Sequence, residues 1–136
     1  MSEQRPKPRI LIVDDIADVR RDLRRLLEIV GGFEVVGEAA DGHEAIELTA
    51  LLGPEVVVMD LAMPGLDGYA AAACITSAPA RPGLIALTVH SDGASRQKAL
   101  AAGFDAYVVK GAPLQELLGA IGSLADQKPA RIGGIS

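Results

Sequence analysis

Five polar residues follow or end short apolar segments of this 136-residue chain, and their types suit one kind of chemistry. They are Asp14, Asp15, Asp60, Thr88 and Lys110. Three carboxylates that meet in one place repel one another, so such a group calls for a positive partner. Mg²⁺ is a hard cation that takes oxygen ligands and often binds phosphate as well. The residue types therefore predict a site for Mg²⁺ and phosphate.

The other polar groups of this set suit phosphoryl transfer. The Lys110 ammonium can pair with one phosphoryl oxygen, and the Thr88 hydroxyl can donate a hydrogen bond to another. A carboxylate placed beside them, such as that of Asp60, can act as the nucleophile. Asp60 is therefore the candidate phosphoacceptor.

Each of these residues taken alone also has an ordinary structural explanation. Either Asp14 or Asp15 could cap the helix that follows. Asp60 could be a turn former, Thr88 a plain strand residue and Lys110 a solvated charge. Packing does not require polar residues of complementary chemistry at four strand ends, so their joint placement favours a functional site. His43, His90 and Cys74 show no such pattern, and we expect them to be structural or surface residues.

Alternating elements are predicted to position this set. Short apolar runs, several of them uniformly apolar as in strands buried on both faces, predict five strands at 10–13, 33–39, 56–59, 84–88 and 106–109. Helical spacing of apolar residues and end signals predict five helices at about 16–30, 41–52, 68–77, 91–102 and 113–124. The alternation predicts an α/β fold with a doubly wound parallel sheet. Ligands of such sheets bind beyond the carboxyl ends of the strands.

Local signals predict several helix ends and one helix face. Asp41 with Glu44 resembles a capping box, Gly103 is typical of a helix stop, and Pro113 fits a first helical position. The first helix is expected to bury an apolar stripe made of Ile16, Val19, Leu23, Leu26, Leu27 and Val30.

Composition narrows the class of protein. Hydrophobic residues make up 49% and charged residues 23% of the chain, which is typical of a single globular domain. The net charge of -5 argues against direct contact with nucleic acid, which needs a basic face. The single cysteine cannot form an internal disulfide, and the chain shows neither a signal peptide nor a long apolar run. We expect a cytoplasmic protein without membrane contact.

Four motifs in order resemble the receiver domains of two-component response regulators. They are ILIVDD at 10–15, VVVMDLAMPGLDG at 56–68, ALT at 86–88 and YVVKG at 107–111. The resemblance implies a flavodoxin-like sheet with strand order 2-1-3-4-5. It extends over residues 9–125, so 1–8 is expected to be an N-terminal extension and 126–136 a C-terminal tail or truncated linker.

The resemblance also implies roles for individual residues. A histidine kinase would phosphorylate Asp60. Thr88 and Lys110 would hold the phosphoryl group. Mg²⁺ would be held by Asp15, Asp60, the backbone carbonyl of Ala62 and, through water, Asp14.

Further residues are implied in switching. Tyr107 would change rotamer as Thr88 moves, which would alter an output surface and could favour a homodimer on phosphorylation. Ala62 and His90 occupy positions that look able to tune dephosphorylation. As a signalling domain, the protein would catalyse only its own phosphorylation and dephosphorylation.

The output of the domain has one leading prediction and three alternatives. Gly111 directly after Lys110 and the segment PLQEL at 113–117 resemble the branch that usually carries a C-terminal LuxR-type helix-turn-helix domain, which this chain lacks. Transcriptional control through such a domain is the first expectation. The alternatives are a stand-alone response regulator that acts on protein partners, a phosphate-handling hydrolase on a similar fold, and an interaction domain that is not phosphorylated.

Overall fold

The computed structural model describes residues 6–61 and 68–127. The strands are β1 (Arg9–Val13), β2 (Glu34–Ala39), β3 (Val56–Asp60), β4 (Gly83–Thr88) and β5 (Ala106–Val109). The helices are α1 (Ala17–Arg25), α2 (Gly42–Leu52), α3 (Gly68–Thr76), α4 (Gly93–Ala102) and α5 (Leu114–Asp126), and a π-helical turn (Leu26–Val30) follows α1. All strand pairs are parallel, in the order β2-β1-β3-β4-β5. The predicted fold class and strand order are confirmed.

The central strands have two buried faces because their alternate side chains enter different apolar clusters. From β1 and β3, Leu11 and Val57 join a cluster with the alanines of α2, α3 and α4. Their neighbours Ile10 and Val56 join a second cluster with side chains of the π-helical turn and α5. Helices therefore cover both faces of the sheet, whereas the ends of the strands are not covered by these helices.

The predicted helix end signals at α2 and α4 are confirmed with one change. The Asp41 carboxylate accepts a hydrogen bond of 2.8 Å from the Glu44 amide, and the Glu44 carboxylate accepts one of 2.7 Å from the Ala40 amide. The reciprocal bond of the capping box thus reaches one residue earlier than usual. Gly103 ends α4 with a φ of 114°, which favours glycine.

The predicted apolar stripe of the first helix is wrong in part. Ile16 precedes the helix and is 53% exposed, and Val30 is 57% exposed, whereas Leu27 is fully buried. Ile16 is exposed because it lies before the first helical turn, with an extended backbone. The reason at Val30 is the π-helical turn, in which the Gly31 amide bonds the carbonyl of Leu26, five residues earlier. A wider turn rotates each residue by a smaller angle, so residues spaced for 3.6 per turn leave the common face.

Two ends in the last third of the fold also differ from expectation. Pro113 lies before α5 rather than at its first position, because its ψ of 139° is extended and the helix begins at Leu114. The helix continues to Asp126, the first residue assigned to the tail. Among the described residues, no helix combines the length and the apolar character that a membrane crossing needs.

Candidate functional site

The carboxyl edge of the sheet gathers the predicted site residues because neighbouring strands end in step. Val13 pairs with Met59 across β1 and β3, so the next residues, Asp14 and Asp60, lie side by side. Across β4 and β5, Thr88 pairs with Val109, and Lys110 follows directly. The strand ends predicted to converge do converge.

Three carboxylates form an acidic cluster at this edge, composed of Asp14, Asp15 and Asp60. One carboxylate oxygen from each lies within 4.8 Å of the other two. Asp14 and Asp60 are buried, at 2% and 7% exposure, whereas Asp15 is exposed. An all-oxygen donor set with one solvent-facing member fits a hard divalent cation that keeps some of its water.

Lys110 is the positive partner of the acidic cluster in this structure. Its Nζ lies 3.3 Å from the Asp60 Oδ2 and 3.4 Å from the Asp14 Oδ2. Burial lowers the pKa of Lys110, but the Asp60 and Asp14 carboxylates outweigh burial and raise the pKa above its ordinary value. Lys110 therefore stays charged, and one ammonium faces the three carboxyl groups of the cluster.

Helix capping does not account for the two consecutive aspartates. α1 begins after Ile16, and among the described residues no side chain caps its first turn. The Asp14 Oδ1 instead accepts a 3.0 Å hydrogen bond from the Ile16 amide, a local turn that leaves Oδ2 facing Lys110. Neither Asp14 nor Asp15 therefore acts as the N-cap of α1, a position that Ile16 occupies.

A single residue links the two members of the predicted switch, Thr88 and Tyr107. Thr88 is fully buried, and its hydroxyl oxygen accepts a 3.2 Å hydrogen bond from the His90 amide. The hydroxyl of Tyr107, which is 8% exposed, donates a 2.8 Å bond to the His90 carbonyl. The Arg96 guanidinium covers the Tyr107 ring at 4.9 Å from its centroid. His90 thus connects both residues through its backbone, while its side chain is exposed, as are those of His43 and Cys74.

An ion-pair network between α1 and β2 was not predicted from the sequence. Glu38 of β2 accepts from the Arg20 Nε at 3.1 Å and from the Arg24 Nη1 at 2.9 Å. Arg20 also donates from Nη1 to the backbone carbonyl of Asp14 at 2.6 Å. The available signal was two arginines four residues apart, which face the same way on a helix. Through this bond the network contacts the backbone of Asp14, a member of the acidic cluster.

Glu38→Gln is expected to lower the free energy of unfolding by about 1 to 3 kcal/mol near neutral pH, because two charged hydrogen-bond donors lose their carboxylate. Burial raises the pKa of Glu38, but the hydrogen bonds from Arg24 and Arg20 outweigh it and hold the pKa below its ordinary value. The stabilisation is therefore complete above the usual glutamate pKa of about 4.3 and is lost as the pH falls through the lower folded value.

Urea unfolding of both proteins across this pH range measures the effect. The difference in the free energy of unfolding between Glu38→Gln and the unsubstituted protein is expected to disappear in acid. Glu34→Gln, an exposed position on the same strand, is the matched control and should change little. A gap that stays constant with pH would mean that the Glu38 charge is not what stabilises the fold.

One assigned metal ligand, the backbone carbonyl of Ala62, lies outside the described residues. Of the remaining assigned residues, Tyr107 lies within β5, and the others lie at the carboxyl edge: Asp14, Asp15, Asp60, Thr88 and Lys110. Their assembly on a doubly wound sheet with order β2-β1-β3-β4-β5 defines a flavodoxin-like protein whose polar site lies where the strand order reverses.

The chain belongs to the response regulator receiver domain family, because the family model matches residues 10–122. It is therefore a signalling domain of two-component systems, and the predicted resemblance is confirmed. It is 40% identical over 115 residues to the response regulator UvrY of Escherichia coli K12, a match that covers 85% of this chain and 53% of that protein. It is 42% identical over 113 residues to the transcriptional regulatory protein PdtaR of Mycobacterium tuberculosis, and this match covers 83% of this chain and 54% of that protein.

Solved structures support the same assignment. A two-component response regulator of the LuxR family from Aurantimonas sp. SI85-9A1 superposes with a TM-score of 0.83 and 38% identity, over 90% of this chain and 87% of that one. The resemblance to the LuxR-type branch thus has a counterpart among solved structures. The chain spans about half the length of the two curated relatives.

Proposed function

We propose that this receiver domain accepts a phosphoryl group on Asp60 from the phosphohistidine of a histidine kinase. The observation that carries the proposal is the position of the Asp60 carboxylate, which lies in the acidic cluster with the Lys110 Nζ 3.3 Å away. It is 7% exposed, so water is largely excluded from the carboxylate. A nucleophile held beside a fixed cation suits attack on an anionic donor.

The transfer forms a bond between a carboxylate oxygen of Asp60 and phosphorus, and it breaks the nitrogen–phosphorus bond of the donor, whose imidazole leaves and takes a proton from solvent. Lys110 pairs with a phosphoryl oxygen, because its ammonium already faces the Asp60 carboxylate. Thr88 donates its hydroxyl hydrogen to another, since the bond from His90 uses only the oxygen as acceptor. Hydrolysis resets the domain: a water oxygen bonds to phosphorus, the bond between phosphorus and the Asp60 oxygen breaks, and inorganic phosphate leaves. Ala62 and His90 tune the rate of this step.

Mg²⁺ is the proposed cofactor. Asp15 and Asp60 would hold it directly, Asp14 through water, and the Ala62 carbonyl would complete the set. The all-oxygen donors, their separation of no more than 4.8 Å and the exposed Asp15 support this choice. When bound, the ion neutralises charge on the transferring phosphoryl oxygens. Asp15 would bind the ion from an exposed position, and Asp60 would bind it with the same carboxylate that reacts.

Acetyl phosphate with Mg²⁺ tests this function without a kinase. We expect intact-mass measurement to detect one added phosphoryl group, which hydroxylamine removes because it is an acyl phosphate. Chelation of divalent ions should prevent the labelling, since the acidic cluster then has only Lys110 against its charge. Failure to label with Mg²⁺ present would favour the alternative of an interaction domain that is not phosphorylated.

Phosphorylation is proposed to act through Thr88, His90 and Tyr107 and to strengthen self-association. The Tyr107 hydroxyl bond to the His90 carbonyl stabilises the buried ring by about 1 kcal/mol. Tyr107→Phe is therefore expected to shift the equilibrium of the unphosphorylated protein about fivefold toward the arrangement that phosphorylation is proposed to favour. Sedimentation with and without the phosphoryl analogue beryllofluoride measures both effects.

In that measurement the analogue should increase association of the unsubstituted protein and leave Asp60→Asn unchanged. Equal sedimentation of the unsubstituted protein with and without the analogue would contradict the dimer proposal. An unchanged resting state in Tyr107→Phe would show that the hydroxyl bond does not set the equilibrium.

The output is proposed to be control of transcription by a LuxR-type domain encoded beyond residue 136, with the protein in the cytoplasm. The half-length matches and the relative named a transcriptional regulatory protein support this proposal. Codons for a helix-turn-helix after position 136 would support it, and a stop codon there would favour the stand-alone regulator that acts on protein partners.

A further inference from the structure

The loop at 14–16 carries two of the three carboxylates of the acidic cluster, yet its attachment is unusual. The Asp14 amide bonds the Ala39 carbonyl at 3.0 Å, which continues the ladder between β1 and β2. Beyond that point the chain turns into α1, where among the described residues no side chain caps the first turn. Asp15 is exposed, so its position depends on the backbone on either side of it.

Arg20 provides the missing attachment from one turn inside α1. Its Nη1 donates a 2.6 Å hydrogen bond to the Asp14 carbonyl, which belongs to the peptide unit that joins Asp14 to Asp15. Its Nε donates to the Glu38 Oε1 at 3.1 Å. The Arg20 side chain is 17% exposed, which places this guanidinium among the more buried charges of the surface.

Glu38 fixes Arg20 to the sheet rather than to its own helix. The second carboxylate oxygen of Glu38 accepts from Arg24, and Arg24 also donates to the Val35 carbonyl of β2 at 3.2 Å. Arg20 is therefore bound to the Glu38 carboxylate, which Arg24 holds in place. A guanidinium has a planar set of donors with fixed directions, so this arrangement defines where the Asp14 carbonyl can lie.

We propose that Arg20 is a positioning residue for the cation site, which sets the peptide between Asp14 and Asp15 through its bond to the Asp14 carbonyl. The inference rests on the proposed Mg²⁺ site. Its physical basis is that a residue behind a ligand fixes ligand geometry, and losing such a residue typically weakens metal affinity by about 10 to 100-fold.

A role for the charge of Arg20 and a role for its geometry predict different effects on Mg²⁺ binding when Arg20 is replaced. A positive guanidinium near the site repels Mg²⁺, so if charge alone mattered, Arg20→Gln would tighten binding and Arg20→Lys would leave it unchanged. If positioning matters, both substitutions weaken binding, because neither lysine nor glutamine can reach Glu38 and the Asp14 carbonyl with one planar group.

The test is Mg²⁺ titration by calorimetry on the whole chain at fixed ionic strength. We expect Arg20→Lys to weaken Mg²⁺ binding about tenfold. The matched control is Arg21→Lys, since Arg21 is 59% exposed and its ion pair is with Asp18 on the same helix. At saturating Mg²⁺ the labelling rate of Arg20→Lys with acetyl phosphate should return close to that of the unsubstituted protein, because the reacting residues are intact.

A second measurement needs no metal. The Ile16 amide donates to the Asp14 Oδ1, so its hydrogen exchange reports whether the loop at 14–16 is in place. Exchange at Ile16 is expected to accelerate about tenfold in Arg20→Lys and in Glu38→Gln, and to stay unchanged in Arg21→Lys. Urea unfolding identifies any variant in which global stability, rather than the loop, accounts for the change.

The outcomes separate this inference from the function on which it rests. If the unsubstituted protein does not bind Mg²⁺, the proposed metal site is wrong and the inference is overturned with it. If it binds Mg²⁺ and Arg20→Lys binds equally well with unchanged exchange at Ile16, only the role of Arg20 is wrong. Tighter binding by Arg20→Gln would likewise overturn positioning in favour of charge.

Discussion

Asp60→Asn is expected to abolish labelling by acetyl phosphate completely. The substitution keeps the shape of the side chain but replaces a carboxylate oxygen with an amide group, which is not a nucleophile at neutral pH. The buried position makes rescue by a neighbour difficult, because the phosphoryl group would have to reach another acid while Lys110 lies beside position 60. Intact-mass measurement should show no added group in the presence of Mg²⁺.

The fold should tolerate this change. Asp60 belongs to a cluster of like charges, so removing one charge relieves repulsion and should not lower the free energy of unfolding. Asp18→Asn is the matched control, since the Asp18 side chain is 77% exposed on α1 and should leave labelling intact. If Asp60→Asn labels as well as the unsubstituted protein, the phosphoacceptor is another residue, and Asp15 becomes the next candidate.

Lys110→Met is expected to slow labelling about 100-fold or more at saturating Mg²⁺. The ammonium lies 3.3 Å from the Asp60 carboxylate, where charge develops on the phosphoryl oxygens during transfer. Loss of one such preorganised group typically costs a factor of about 10² to 10³ in rate. Methionine retains the length and apolar body of the side chain, so the change removes the charge rather than the packing.

Mg²⁺ binding should move in the opposite direction in this variant. Lys110 engages one oxygen each of Asp14 and Asp60, and its removal leaves these carboxylates without a competing cation. Calorimetry should therefore find Mg²⁺ affinity equal or higher while the labelling rate falls. Lys7→Met, an exposed lysine outside the site, is the control. An unchanged rate in Lys110→Met would show that Lys110 does not assist the transfer, and weaker Mg²⁺ binding would indicate damage to the cluster.

The positions of the site residues could be predicted because they depend on chain order. An apolar run that ends in a polar residue marks both a buried strand and its carboxyl end, as at Val13 to Asp14 and at Val109 to Lys110. Parallel pairing then brings those ends together irrespective of the details of packing. The resemblance to receiver domains added the strand order, which periodicity alone does not provide.

What could not be predicted depends on contacts between residues far apart in the chain. The bond of Arg20 to Glu38 joins α1 to β2, and nothing in either segment identifies its partner. The Tyr107 hydroxyl bonds a backbone carbonyl, which every residue carries, so no sequence signal selects His90. The π-helical turn after α1 changes the helical period, and a stripe drawn with a fixed period therefore fails at Leu26 and Val30, which are exposed, although Leu27 is buried.

The link at His90 uses only main-chain atoms, and this has a consequence for how the domain can change in evolution. Any residue except proline at position 90 supplies the same amide and carbonyl to Thr88 and Tyr107. The exposed side chain is therefore not tied to relaying the signal. In the proposed switch, substitutions at position 90 can therefore lengthen or shorten the lifetime of the phosphorylated state. The main-chain bonds that link Thr88 to Tyr107 are kept in all of these variants.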